Sequence, residues 1–228
     1  MKNIVVLTGA GISAESGIKT FRDDNGLWEG HDVMKVASPE GFKEDPALVL
    51  EFYNKRRKQL LEVEPNAAHF ALKDLEKNYN VSIITQNVDD LHERAGSSNV
   101  IHLHGELLKV RSSFDKDLVL DWKKDLNLGD FCEFNSQLRP HIVWFGEEVP
   151  LLETAALEVQ QADILLIIGT SMQVYPAAGL KDFAPSHCQM YFIDPQPAIR
   201  ESQNLTIIKE NASTGVKKLV ESMLESDF

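Results

Sequence analysis

The sequence predicts an α/β fold: a Rossmann-like parallel sheet with helices on both faces, plus a small inserted subdomain. Three observations carry this. Ile4 to Thr8, Val81 to Thr85 and Asp163 to Ile168 are apolar runs rich in β-branched residues, without alternation. Such runs read as strands buried on both faces, as in parallel sheets. Helical segments alternate with the strands, the order of an α/β chain. Glu106 to Pro140 breaks that order. It is polar, with Asp115, Lys116, Asp117, Lys123, Lys124, Asp125 and Gly129 and only short apolar runs, and reads as an insert.

The first strand ends directly in Gly9-Ala10-Gly11-Ile12-Ser13-Ala14. This matches the G-x-G-x-x-G/A dinucleotide fingerprint with Ala14 in third place. Gly9 suits the tight turn, Gly11 leaves room for a pyrophosphate, and Ala14 lets a following helix lie close to the strand. The amino end of that helix would face phosphate. A dehydrogenase should reach its second strand within about 30 residues. Here the next strong strand begins at Val81, so the stretch between is not a simple crossover.

Ile18 to Trp28 has polar breakers and no period, and reads as a loop beside the nucleotide site. Ser38-Pro39 opens a helical turn. Asp45-Pro46 opens a helix to about Glu62, with Asp45 as N-cap and Pro46 at the first helical position. Tyr53 and Arg56 are neighbours on it at i and i+3 and can grip a carboxylate. The alternative is a solvated basic edge of Lys55, Arg56, Arg57 and Lys58. Pro65-Asn66 starts a helix to about Asn78. The strand Val81 to Thr85 ends in Gln86-Asn87-Val88-Asp89-Asp90-Leu91-His92, a polar cluster where open α/β sheets bind ligands. Asn87 and Asp89 either bond ribose hydroxyls or an amide, or one of them caps a helix to about Ala95. Val100 to Gly105 reads as a short strand carrying His102 and His104, of which one is a general-base candidate. Arg139 to Glu147 returns to the main part, and Leu151 to Gln161 is a helix. Gly169-Thr170-Ser171 is a second strand-to-turn site. Gln189 to Ile193 is a strand ending in Asp194, Leu205 to Ile208 the last strand, and Ala212 to about Met223 a closing helix.

The chain has 228 residues with 43% hydrophobic content, enough for one large domain with an insert, and a formal net charge of −12 that argues against nucleic-acid binding. No apolar run approaches a membrane span and no signal-peptide pattern opens the chain, so a cytoplasmic protein is expected. Cys132 and Cys188, far apart, read as reduced thiols rather than a metal site.

Gly9 to Ser13 through Gly17-Ile18 to Phe21-Arg22 resembles the signature of the sirtuin (Sir2) family. So do Thr85 to Asp89 with Leu91-His92, His104-Gly105, Arg139-Pro140 through Phe145-Gly146-Glu147, and Gly169-Thr170-Ser171 with Val174. The blocks keep the family's order across nearly the whole chain, and the likeness is to bacterial CobB-type sirtuins in the desuccinylase-containing branch. The resemblance implies one catalytic domain over 1–228. Its larger Rossmann-like part would take about 1–20, 63–105 and 141–228, and its small subdomain about 21–62 and 106–140. It implies NAD-dependent removal of acyl groups from protein lysine, with acylated-lysine proteins or peptides as partners and a monomer as the working form. The acyl oxygen would attack the nicotinamide ribose, nicotinamide would leave, and O-acyl-ADP-ribose and free lysine would result. The other readings are a plain deacetylase, an ADP-ribosyltransferase or NAD hydrolase, or an NAD-sensing module without activity.

Residue by residue, His104 matches the general base, and Asn87 and Asp89 match residues that position the nicotinamide ribose, the nicotinamide and a water. Gln86 matches a ribose contact. Gly9, Ala10, Gly11, Ser13, Phe21 and Arg22 match the pyrophosphate and nicotinamide-side loop. Gly169, Thr170, Ser171, Asp194 and Ala212 fall along the adenosine half, although many relatives have Asn in place of Asp194. Val143, Trp144, Phe145, Gly146 and Glu147 match the segment that pairs with substrate backbone, a strand addition, with Trp144 and Phe145 walling the acyl-lysine tunnel. Tyr53 and Arg56 match a Tyr-x-x-Arg pair for an acidic acyl tail, and Ala37 a small residue beside it. Most sirtuins hold the insert with four cysteines on zinc. Here Ser112 and Ser113 stand near the first pair and only Cys132 near the second, so a zinc-free insert held by Leu118, Leu120, Trp122 and Leu126 is expected.

Overall fold

The structure is a computed structural model that describes residues 1–19, 27–28 and 30–225. In chain order the elements are β1 (Asn3–Thr8), β2 (Leu27–Trp28), β3 (His31–Asp32), α1 (Val33–Val36), α2 (Pro39–Glu44), α3 (Pro46–Glu62), α4 (Ala67–Leu75), β4 (Asn80–Thr85), α5 (Leu91–Arg94) and β5 (Val100–His102). There follow β6 (Gly105–Ser112), β7 (Val119–Asp121), β8 (Leu138–Ile142), α6 (Leu152–Val159), β9 (Ile164–Ile168), β10 (Gln189–Ile193), β11 (Leu205–Ile208) and α7 (Ala212–Glu225).

Six strands form a parallel sheet in the order β11-β10-β9-β1-β4-β5. Successive side chains of a strand point to opposite faces, and β1 fills both. Ile4 and Val6 pack with Ala68, Leu72 and Leu75 of α4 and Val216 and Val220 of α7. Val5 and Leu7 pack with Ala155 and Val159 of α6 and with Leu180 in a 3-10 turn, Ala177–Phe183. Each fully buried aliphatic side chain contributes about 1.5–3 kcal/mol, so β1 is the keel of the molecule.

Three expectations are corrected here. No α-helix follows β1. Ala10–Ile12 and Ala14–Ser16 are separate 3-10 turns, ended by Gly17 at φ 99°. In an α-helix the Ile12 carbonyl would accept from Ser16 N–H. Here Asn66, the N-cap of α4, donates its Nδ2–H to that carbonyl at 2.8 Å and to Ser16 Oγ at 3.0 Å, while Ser16 N–H turns to Ser13 O. Second, the strand from Val100 stops at His102. Gly105, at φ 82°, opens the longer β6 in another sheet, because a Cβ there would lie 2.0 Å from the His141 carbonyl oxygen. Third, Leu120 is 39% exposed and lies outside the core of the insert.

β2 and β3 pair in a two-stranded antiparallel sheet, and a third sheet is antiparallel, β7-β6-β8. Leu50 of α3, Val110, Leu126, Cys132 and Leu138 fill its core, with Leu118 and Trp122 packed at the margin. Asn54 of α3 ties the insert down: its Nδ2–H donates to Leu126 O and its Oδ1 accepts from Leu126 N–H, both at 2.9 Å. Oδ1 also accepts from Arg57 at 2.7 Å. Ser112 Oγ lies 3.3 Å from Cys132 Sγ, and Ser113 Oγ bonds Ser136 Oγ at 2.9 Å. One thiol among hydroxyls does not fit a tetrahedral zinc ion, and no group of three His, Cys, Asp or Glu among the described residues is placed to hold a metal. No helix among the described residues is long and apolar enough to cross a membrane.

Candidate active site

The parallel strands all deliver their carboxyl ends to one side. There the turns after β1, β4, β9 and β10 line a cleft of about 700 Å3. Its far wall comes from α3, His104 and the segment after β8. The turn after β1 lies between those after β4 and β9, at the point where the chain's crossovers switch sides of the sheet, the usual ligand site of such folds.

The glycines of the first turn serve the protein before any ligand. Gly11 N–H donates to Gly169 O at 2.8 Å. A Cβ on Gly11 would lie 2.6 Å from Gly169 Cα, and one on Gly9 2.8 Å from Gly169 O. Gly169 itself sits at φ 60°, where a Cβ would meet Ile12 N at 2.4 Å. The two turns are thus locked backbone to backbone, and together with Ala10 and Thr170 they floor the cleft. Ala14 is exposed on the cleft wall, so its small size spares cleft space rather than helix packing.

Across this floor, β4 delivers Gln86, Asn87 and Asp89. Gln86 Nε2–H donates to Thr170 Oγ1 at 3.2 Å. Asn87 Nδ2–H donates to Gly9 O and to Ser13 Oγ, both at 3.2 Å, so it braces the glycine turn and caps no helix. Asp89 is 5% exposed; Oδ2 accepts from Ser13 Oγ–H at 3.0 Å and Oδ1 from Leu91 N–H at 3.2 Å. Asp89 therefore also closes the first turn of α5, while burial pushes its carboxyl above the usual range. Ser13 is fully buried beneath the cleft and joins Asn87 to Asp89 rather than lining the space.

The two histidines separate cleanly. His102 Nδ1 faces Asn87 O at 3.2 Å and Nε2 faces Glu93 Oε1 at 2.7 Å. Burial works against its charge, but the Glu93 hydrogen bond and charge outweigh it and raise its pKa. His102 is thus engaged on both ring nitrogens. His104 Nδ1 lies 3.0 Å from Gln86 O. A carbonyl only accepts, so Nδ1 carries the proton and Nε2 keeps its lone pair, on a ring that lines the cleft. Burial lowers the His104 pKa, which keeps the ring neutral near pH 7.

On the far wall, Tyr53 is fully buried and Arg56 9% exposed, and both line the cleft. Arg56 lies over the Trp28 ring, 4.1 Å from its centroid. The solvated-edge reading is overturned for half its members. Lys55 and Lys58 are exposed, whereas Arg57 is buried, donates Nε–H to Leu107 O at 3.2 Å, and has its pKa lowered to about 10 by burial. Ala37 is buried beside Tyr53 in this wall, and its carbonyl accepts from Phe145 N–H at 2.9 Å.

Within Val143 to Glu147, Phe145 and Gly146 form a turn and none of the five belongs to a strand. Val143 N–H donates to His104 O, Glu147 N–H to Trp144 O and Trp144 N–H to Glu147 Oε2. The Glu147 carboxylate is held by Arg111 and Arg139. Val143, Trp144, Phe145, Gly146 and Glu147 all line the cleft. At the other end, Ser171, the buried Asp194 and Ala212, the first residue of α7, line the space. Asp194 Oδ1 accepts from Gln196 N–H at 2.8 Å. Phe21 and Arg22 lie outside the described residues. Sequence reasoning missed Trp28 in this wall, and Arg111 as a brace of Glu147 from outside the cleft. Arg111 and Glu147 are 36 positions apart, so no local pattern joins them.

A glycine-backed middle with a polar amide and carboxylate at one end and Ser171 and Asp194 at the other fits a dinucleotide. The Sir2 family model matches residues 9–176. The chain is 62% identical to an NAD-dependent protein deacylase of Helicobacter pylori over 99% of this chain and 97% of the relative. It is 55% identical to the protein of that name from Bacteroides thetaiotaomicron over 98% and 99%. A solved Sir2 homologue in complex with NAD superposes with a TM-score of 0.89 at 38% identity, covering 98% of this chain and 90% of that one. A Sir2 structure with a p53 peptide and NAD gives 0.81 at 28% identity over 99% and 94%.

Proposed function

The chain belongs to the Sir2 family and is an NAD-dependent protein deacylase, and from that premise we propose that it removes acidic acyl groups, succinyl and malonyl, from protein lysine as well as acetyl. His104 is its general base. NAD supplies an ADP-ribosyl carbon made electrophilic by its nicotinamide leaving group. Gly9, Ala10 and Gly11 would back the pyrophosphate, Asn87 and Asp89 the nicotinamide ribose, and Gln86, Ser171, Asp194 and Ala212 the remaining sugar and adenosine side. His104 takes a proton at Nε2 from a ribose hydroxyl. Its Nδ1–H stays on the Gln86 carbonyl, so the ring holds its orientation as it gains charge. Trp144 and Phe145 keep water from the acyl-lysine. The products are nicotinamide, O-acyl-ADP-ribose and free lysine.

The observation that carries the acyl preference is the burial of Arg56 beside Tyr53 in the cleft wall. A guanidinium largely kept out of water in the cleft wall, among Leu60, Leu107, Ile142 and Trp144, suits a carboxylate tail. Nicotinamide release with acetyl-, malonyl- and succinyl-lysine peptides tests it, on the natural protein and Arg56→Met. The expected result is a rise of about 10-fold or more in KM for the acidic acyl peptides alone, the scale of one lost charge-assisted bond. Equal changes for all three peptides would remove Arg56 from acyl selection. NAD loss without acyl transfer would favour a transferase or hydrolase. The same proposal includes the division into a larger part, about 1–20, 63–105 and 141–228, and a smaller one, about 21–62 and 106–140. The six-stranded sheet, apart from the two-stranded β2-β3 and three-stranded β7-β6-β8 sheets, supports that division. It also includes a cytoplasmic monomer without nucleic-acid partners, in keeping with the net charge of −12.

A further inference from the structure

The Glu147 carboxylate is saturated. Arg111 donates from one nitrogen to both of its oxygens at 3.0 Å. Arg139 donates to Oε1 at 2.7 Å and to Oε2 at 3.1 Å, and Trp144 N–H to Oε2 at 2.8 Å. Arg139 also lies over the indole, its guanidinium carbon 3.3 Å from the ring centroid. Trp144 is therefore held by its backbone from one side and by its ring face from the other. Its indole Nε1–H points to Tyr53 Oη at 2.9 Å. An indole N–H only donates, so Tyr53 must accept this bond, and the phenol's own proton is left for another partner. Burial raises the Tyr53 pKa, so that proton is present at every working pH.

We propose that Arg111 and Arg139 are positioning residues for acyl selection: through Glu147 they fix Trp144, whose indole N–H turns Tyr53 into a donor toward the acyl tail. The tail that fits is one that ends in a hydrogen-bond acceptor. This rests on the acidic-acyl reading above. It adds that the selecting phenol is set by two arginines that lie outside the cleft lining.

Arg111→Gln and Arg111→Lys test it against the natural protein and Arg56→Met. With Arg111→Gln, KM for the succinyl peptide rises about 10-fold while kcat and the acetyl KM move less than about 2-fold. Lysine keeps the charge and one donor and restores at least half of the loss. The Trp144 indole resonance in 1H–15N spectra shifts in both Arg111→Gln and Tyr53→Phe. An unmoved indole in Arg111→Gln overturns the coupling whatever the acyl preference. Equal losses on acetyl and succinyl peptides, or no rescue by lysine, reduce Arg111 to a brace of the wall and overturn the selection role. A shifted indole in a protein whose succinyl KM ignores both Arg56→Met and Arg111→Gln refutes the acidic-acyl reading, and the selection role falls with it.

Discussion

Gly11→Ala separates two accounts of the glycine turn. If the glycine only admits a phosphate, the methyl raises KM for NAD and leaves the apo protein intact. The structure demands more. The new Cβ would stand 2.6 Å from Gly169 Cα and 2.8 Å from Gly169 O, where ordinary contact begins at 3.4 Å. Both obstacles are backbone, so the turns after β1 and β9 must part by roughly 0.8 Å. Overpacking of this kind costs about 1–3 kcal/mol. In a chain of this size that lowers Tm by roughly 2–4 °C per kcal/mol. Asn87 donates to the Gly9 carbonyl, so the same shift spreads to the nicotinamide side, where a misplacement of about 1 Å costs about 100-fold in rate. The expected outcome is a lower Tm without NAD and a fall in kcat, read by calorimetry and nicotinamide release. An apo Tm within error of the natural protein, with only KM for NAD raised, would refute the backbone-lock argument.

His104→Ala should lower turnover by about 100-fold or more, and near-normal activity in that variant would remove His104 from the proton transfer. Burial lowers the His104 pKa, so the acid limb of kcat/KM in the natural protein should fall below the ordinary imidazole range, and a limb above pH 7 would contradict the geometry. His69 is buried and its pKa is lowered to about 4 from 6.5. The unfolded chain therefore binds the extra proton first, and stability present above pH 6.5 is lost as the pH falls toward 4, by at most about 3 kcal/mol. Urea melts from pH 7.5 to 5 measure this, and His69→Gln should flatten the slope. Asn54→Ala should cost about 2–4 kcal/mol, because it strands the buried Arg57 and the Leu126 backbone groups. An unchanged urea midpoint would show that the insert is held without it.

The sheet and α3 were legible because their signals are local. Unbroken β-branched runs mark the strands, and Asp45-Pro46 marks the start of α3, where Asp45 Oδ1 accepts from Leu48 N–H at 3.0 Å. The near-complete gathering of Gln86, Asn87, Asp89, His104, Tyr53 and Arg56 around one cleft was legible through family motifs rather than through periodicity. What escaped depends on partners distant in sequence. The missing helix after β1 is the work of Asn66, 54 positions from Ile12. The burial of Arg57 rests on Leu107, 50 positions away. The charges of Lys55 to Lys58 look alike in sequence, and only the insert packed against α3 decides which of them meet water.

The place of β1 between β4 and β9 also sets the order of events during synthesis. β1 is made before both of the strands that flank it, and the second of these ends at Ile168. At a ribosomal pace of about 5–20 residues per second, roughly 4–17 s pass between the completion of β4 and of β9. For that interval one edge of a buried, largely apolar strand lies open, the state most prone to pairing with another chain. Nascent chains stalled before residue 164 should therefore collect on chaperones or in aggregates, whereas chains stalled beyond residue 193 carry their central strand already closed in.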